Sequence, residues 1–145
     1  SDQPDRRAGR MGRRAVIVLD THIWFWWVSG QHERLSAGLL ESLATSPHIG
    51  VSAVSCAEVA LAWRKGRLEL PLPLRPWFAE ALERSGVELL PLTPAIASRA
   101  VELGDHHRDP FDRIIIATAL DLGAQLASAD SQFPAYIELA GRLLT

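Results

Sequence analysis

The chain predicts an α/β fold: a three-layer α/β/α sandwich around a central, mostly parallel sheet of four to five strands. Two observations lead there. Short apolar, β-branched runs recur along the sequence, and helical stretches with capping signals lie between them. Strands that alternate with helices imply a parallel sheet covered on both faces. The length of 145 residues corresponds to one domain, and 48% apolar with 22% charged residues is ordinary globular composition. No apolar run reaches the roughly 18 residues of a membrane span. Cys56 is the only cysteine, which excludes an intramolecular disulfide framework. It lies in an apolar stretch and reads as a small buried residue rather than a nucleophile. With no apolar leader-like stretch near the start, the expected setting is reducing and cytoplasmic.

The elements follow in order. Ala15-Val16-Ile17-Val18-Leu19 is a continuous apolar run ending at Asp20, as expected of a strand buried on both faces. Ile23 to Val28 is apolar and aromatic and predicts a short helix. Leu35-Ser36 opens a second, with Leu39, Leu40 and Leu43 at helical spacing. Ile49 to Ser52 reads as the second strand. Ser55 with Glu58 three residues later forms a capping-box pattern, so a helix is predicted to start there, with Glu58 in its first turn, and to stop at Arg64-Lys65-Gly66. Pro71 and Pro73 mark a loop. Trp77, Phe78, Ala81 and Leu82 predict another helix, and Val87 to Leu90 a third strand. Thr93-Pro94 and Asp109-Pro110 each pair an N-cap with proline at the first helical position. The helix after Asp109 is nearly apolar all round through Ile114 to Leu120 and ends at Gly123, which predicts deep burial. Gln125 to Ser128 is the fourth strand, and residues 139–145 can add a fifth.

Net charge is −2, but it is unevenly spread. Residues 1–14 carry +3, through Arg6, Arg7, Arg10, Arg13 and Arg14 against Asp2 and Asp5, which leaves −5 on residues 15–145. The expectation is a disordered basic tail over 1–14 and a single domain over 15–145 that is mildly acidic and lacks a broad basic face.

In parallel sheets, ligands bind beyond the carboxyl ends of the strands. Asp20 and Asp130 follow the first and fourth strands, and Glu58 lies early in the helix after the second. Topology alone can therefore bring these three to one edge. Asp109 and Asp112, three apart at a helix start, reach that edge if the loop before them delivers them there. Each acid also has a structural reading, as a cap, a first-turn acid or a turn former. Gathered carboxylates repel, and the repulsion is relieved by protonation or by a divalent cation. Oxygen-only ligands suit Mg2+ or Mn2+, and no histidine or cysteine pattern points to zinc.

At this point the residues resemble a family, the PIN-domain ribonucleases, and among them the VapC-type toxins of type II toxin–antitoxin pairs. The matching blocks are Val18-Leu19-Asp20-Thr21-His22, Val51 to Glu58 with Lys65-Gly66-Arg67-Leu68, His107-Arg108-Asp109-Pro110-Phe111-Asp112-Arg113 with Ile116 to Ala119, and Ala127-Ser128-Ala129-Asp130. The resemblance implies a PIN-like nuclease domain over 15–145 and cleavage of structured RNA, of transfer or ribosomal class, with Mg2+ or substituting Mn2+. It implies Asp20, Glu58, Asp112 and Asp130 as catalytic and metal-holding acids, with Asp109 sharing the third role. Thr21, Arg113 and Ser128 become candidate substrate-binding residues, and Arg64, Lys65 and Arg67 an outer grip on the RNA backbone. A cognate antitoxin and a homodimer are the implied protein partners, with Trp24 and Trp27 as candidate contacts. Two other readings remain. A metal-dependent phosphatase usually needs Asp-x-Asp after the first strand, where this chain has His22. A binding module would use the acids only structurally.

Overall fold

The computed structural model describes residues 16–105 and 109–145. The basic tail expected over 1–14, Ala15 of the first predicted strand, and His106, His107 and Arg108 of the family-like block lie outside the described residues. Five strands form one sheet in the order β3-β2-β1-β4-β5: β1 (Val16–Leu19), β2 (His48–Ser52), β3 (Val87–Leu90), β4 (Gln125–Ala127) and β5 (Leu143–Leu144). Every pairing is parallel, so the expected sheet is present without an antiparallel member. Among the described residues six α-helices connect and cover it: α1 (Thr21–Val28), α2 (Ala37–Thr45), α3 (Ala53–Arg64), α4 (Leu74–Ala79), α5 (Pro94–Glu102) and α6 (Pro110–Leu122). The chain winds outward from β1 through β2 to β3, then returns to build β4 and β5 on the other side. A crevice opens where such winding reverses, at the carboxyl ends of β1 and its neighbours.

β1 is buried on both faces, and its alternating side chains divide the core in two. Val16 and Val18 pack with Ile115, Ile116 and Leu126. Ile17 and Leu19 pack with Ile23, Trp24 and Val51 on the opposite face. The uniform apolarity of α6 is explained by its position, since Ile115, Ile116, Ala117 and Ala119 are fully buried. Gly123 ends α6 in the left-handed region at φ 62°, which costs glycine nothing. Gly50 is required for a different reason: a Cβ there would come within 3.0 Å of the Leu90 side chain and 3.1 Å of the Glu88 carbonyl.

Three expectations are corrected. The cap of α3 is Ser52, whose hydroxyl accepts from the Val54 N–H at 3.2 Å, so the helix starts at Ala53 and places Glu58 in its second turn. Ser55 is an internal helical residue, and the capping box does not form. The helix through Trp77 ends at Ala79 and widens into a π-helical turn over Glu80–Arg84. Trp24 is not a surface anchor. It is 0% exposed, meets Trp77 edge-on at 5.3 Å, and donates its indole N–H to the Ala81 carbonyl at 3.0 Å. A side chain with no exposed surface offers nothing to a partner. Trp27 is half-buried and stacks on His32 at 5.0 Å.

Trp24→Ala should lower the unfolding free energy by about 3–5 kcal/mol, the usual range for emptying a buried aromatic site. Trp27→Ala should cost clearly less. Urea denaturation with unchanged slope distinguishes the two.

Candidate active site

The site begins with strand register. Leu19 pairs with Ala127 across β1 and β4, so the next residues, Asp20 and Ser128, emerge side by side. The Asp20 N–H continues the ladder to the Ala127 carbonyl at 3.0 Å. Asp20 is 5% exposed. Its Oδ1 accepts from the Ile23 N–H at 3.1 Å, which makes it the N-cap of α1. Its Oδ2 accepts from the Ser128 hydroxyl at 2.5 Å. Ser128 Oγ accepts in turn from the Asp130 N–H at 3.0 Å, and Asp130 Oδ1 accepts from the Gln132 N–H at 2.8 Å. Ser128 thus holds the ends of β1 and β4 and the first turn after β4 together.

The helices α1 and α3 start at the same edge and meet through hydroxyls. Thr21 Oγ1 lies 2.6 Å from Glu58 Oε1 and 2.8 Å from Ser55 Oγ. A threonine has one proton to give and a carboxylate only accepts. Thr21 therefore donates to Glu58 and accepts from Ser55, which is fully buried. Sequence reasoning treated Ser55 as a cap and missed this role. The signal was present in the three-residue spacing of Ser55 and Glu58, which puts both on one helix face.

The loop after α5 delivers the remaining acids. Asp109 caps α6, its Oδ1 accepting from the Phe111 N–H at 2.9 Å, and Asp112 follows in the first turn. One carboxylate oxygen from each of Glu58, Asp109 and Asp112 lies within 4.8 Å of the others. Asp20 follows β1 and Asp130 follows β4, and neither contributes an oxygen to this group. Burial pushes the Asp20 carboxyl up, against the lowering effect of Ser128, the Ile23 N–H and His22. Burial also pushes Glu58 up, and the charges of Asp109 and Asp20 add to it, while the Thr21 hydrogen bond and His22 oppose it. Three carboxylate oxygens gathered this closely, one of them on a group whose charged form burial disfavours, fit a hard divalent cation.

Arg113 has a different role from the predicted phosphate contact. Its guanidinium donates to the carbonyls of Ala100, Leu103 and Gly104 at 3.1, 2.7 and 2.8 Å. Those carbonyls belong to the open end of α5, where intrahelical partners run out. The arginine fastens that end to the first turn of α6 and so fixes where the loop carrying Asp109 returns. Arg64, Lys65 and Arg67 are exposed at the end of α3. Cys56 is half-buried, and burial pushes its thiol up, away from thiolate chemistry.

With this geometry in place, comparison with known proteins is informative. The PIN domain family model matches residues 17–139. Ribonuclease VapC22 of Mycobacterium tuberculosis is 32% identical over 116 residues, which span 79% of this chain and 87% of that protein. Two solved structures share the fold. One is VapBC2 from Rickettsia felis bound to a DNA fragment from their promoter, with a TM-score of 0.66, 18% identity, and coverage of 89% of this chain and 97% of that one. The other is a toxin–antitoxin complex from Klebsiella pneumoniae, with a TM-score of 0.61, 22% identity, and coverage of 89% and 96%.

The raised carboxyls predict a pH dependence. A group that holds its proton more tightly in the fold stabilises it fully below its unfolded pKa and loses that contribution as pH rises through the folded value. In EDTA, Asp20→Asn should therefore melt at or near the wild-type temperature at about pH 4 and above it at about pH 7. Asparagine can keep the helix cap through Oδ1, while its amide nitrogen meets Ser128 as a donor, so the substitution removes the charge and reverses that one hydrogen bond. Calorimetry over that range gives the sign.

Proposed function

The chain belongs to the PIN domain family, and from that premise we propose that it is a metal-dependent endoribonuclease, the toxin of a type II toxin–antitoxin pair, using Mg2+ with Mn2+ as a substitute. The observation that carries this reading is the convergence of Glu58, Asp109 and Asp112, with oxygens within 4.8 Å, beside the buried Asp20 at the carboxyl edge of the sheet. Its similarity to a named ribonuclease over most of both chains supports the same chemistry.

Asp20, Glu58, Asp109, Asp112 and Asp130 are the residues that would hold the cation. When bound, it supplies Lewis acidity, acidifying water and offsetting the negative charge that gathers at phosphorus. The protein's own groups do the positioning. Thr21 engages Glu58 at Oε1, which fixes the carboxylate and leaves Oε2 for a ligand or for a proton from the attacking water. Ser128 fixes Asp20 from the opposite strand. Water attacks in line with the scissile phosphodiester and leaves a 5′-phosphate and a 3′-hydroxyl. Structured RNA of transfer or ribosomal class is the proposed substrate, gripped along its backbone by Arg64, Lys65 and Arg67. The domain's negative balance makes this grip local rather than broad. A cognate antitoxin is the proposed protein partner, supported by the toxin–antitoxin complexes among the fold relatives, and Trp27 remains a candidate contact. A homodimer and a cytoplasmic setting complete the reading. Among the described residues no helix is long and apolar enough to cross a membrane.

Purified protein freed of any antitoxin should cut transfer or ribosomal RNA with Mg2+ and not with EDTA. Asp112→Asn should lower the rate by at least about 100-fold, since several kcal/mol of charge stabilisation depend on the acids, with its circular dichroism unchanged. Full activity in both Asp20→Asn and Asp112→Asn overturns the assignment.

A further inference from the structure

A cavity of about 230 Å3 opens beside the acids, between α1, α3 and the segment after α3. Thr21 and Glu58 line it on the side of the carboxylate cluster. Phe25, Ala62 and Leu68 supply mostly apolar walls, and the exposed Arg67 lines it as well. The hydroxyl network of Thr21, Ser55 and Glu58 uses none of these wall residues, and the metal chemistry does not need them.

We propose that this cavity takes one unpaired nucleobase of the RNA, from a nucleotide flanking the cut phosphate, and thereby selects the cleavage site. The inference rests on the ribonuclease reading above. Its argument is adjacency. Glu58 belongs both to the acid cluster and to the cavity wall, so whatever enters the cavity is joined to the group held at the acids. If that group is a phosphodiester, its neighbour is a nucleoside. An apolar wall with an aromatic ring suits the flat face of a base, the usual mode for reading unpaired RNA. Arg67 supplies donors for base acceptors or for the next phosphate. A base inside a duplex must first leave its stack, so the cavity directs cutting to loops. An acidic domain without a broad basic face needs such a pocket, because backbone contacts alone carry no sequence information.

The test uses the full chain with Mg2+ and hairpin RNAs with randomised loops. Wild type should cut with a strong base bias at one position flanking the cut. RNA made abasic at that position should be cut about 10-fold or more slowly, while abasic sites elsewhere in the loop have little effect. Ala62→Phe, which fills the cavity from α3, should lose the bias and cut intact and abasic RNA equally slowly. Wild type that cuts intact and abasic RNA alike, or shows no flanking bias, overturns the pocket and leaves the nuclease reading standing. Ala62→Phe with unchanged bias also overturns it. No metal-dependent cleavage by wild type on any RNA fails the nuclease reading and this proposal with it.

Discussion

Asp20 is a carboxylate with almost no contact with water, and the architecture around it answers that condition. A buried ionisable group must be hydrogen-bonded or neutralised. Here one oxygen is held by the start of α1 and the other by a serine that reaches across from β4. The first contact requires α1 to begin immediately after β1. The second requires β1 and β4 to pair in one register, because a slip of one residue would turn Ser128 to the other face. The two cores on either side of β1 enforce that register through the alternation of Val16 and Val18 with Ile17 and Leu19.

From that anchor the remaining acids are placed by helix starts. Glu58 is carried by α3 and steadied by Thr21, while Asp109 and Asp112 come from the first turn of α6. Burial raises the carboxyls of Asp20 and Glu58, with the charges of Asp109 and Asp20 adding to the effect on Glu58 alone, a cost borne by folding in the absence of a cation. Site and scaffold therefore pull in opposite directions. The apolar burial of α6 and the clamp of Arg113 on the end of α5 hold the acids in place against their mutual repulsion.

Much of this was legible in the sequence, and the exceptions share a cause. The starts of α5 and α6, the end of α6 and the bounds of β3 are written in local signals: a cap followed by proline, a glycine stop, a short apolar run. The start of α3 was not. Ser52 and Ser55 can each cap a helix, and the choice depends on where β2 stops pairing with β3, at Ser52 opposite Leu90. Trp24 misled because α1 is apolar on nearly every side, so periodicity does not say which ring is buried. Arg113 misled because its acceptors are backbone carbonyls, which a sequence does not display. The positions of Asp20 and Asp130 were readable because strand ends are readable. The hydroxyls that hold them depend on which elements become neighbours.

The bond between Ser128 and Asp20 joins residues 108 positions apart. Asp20 and Glu58 precede their supports and companions Asp109, Asp112 and Ser128 by 50 residues or more along the chain. Contacts of such wide separation also form late in folding. The group of acids is therefore fully supported only once β4 has joined the sheet. On the ribonuclease reading proposed above, the order of the elements along the chain sets the earliest moment at which the acids can act together.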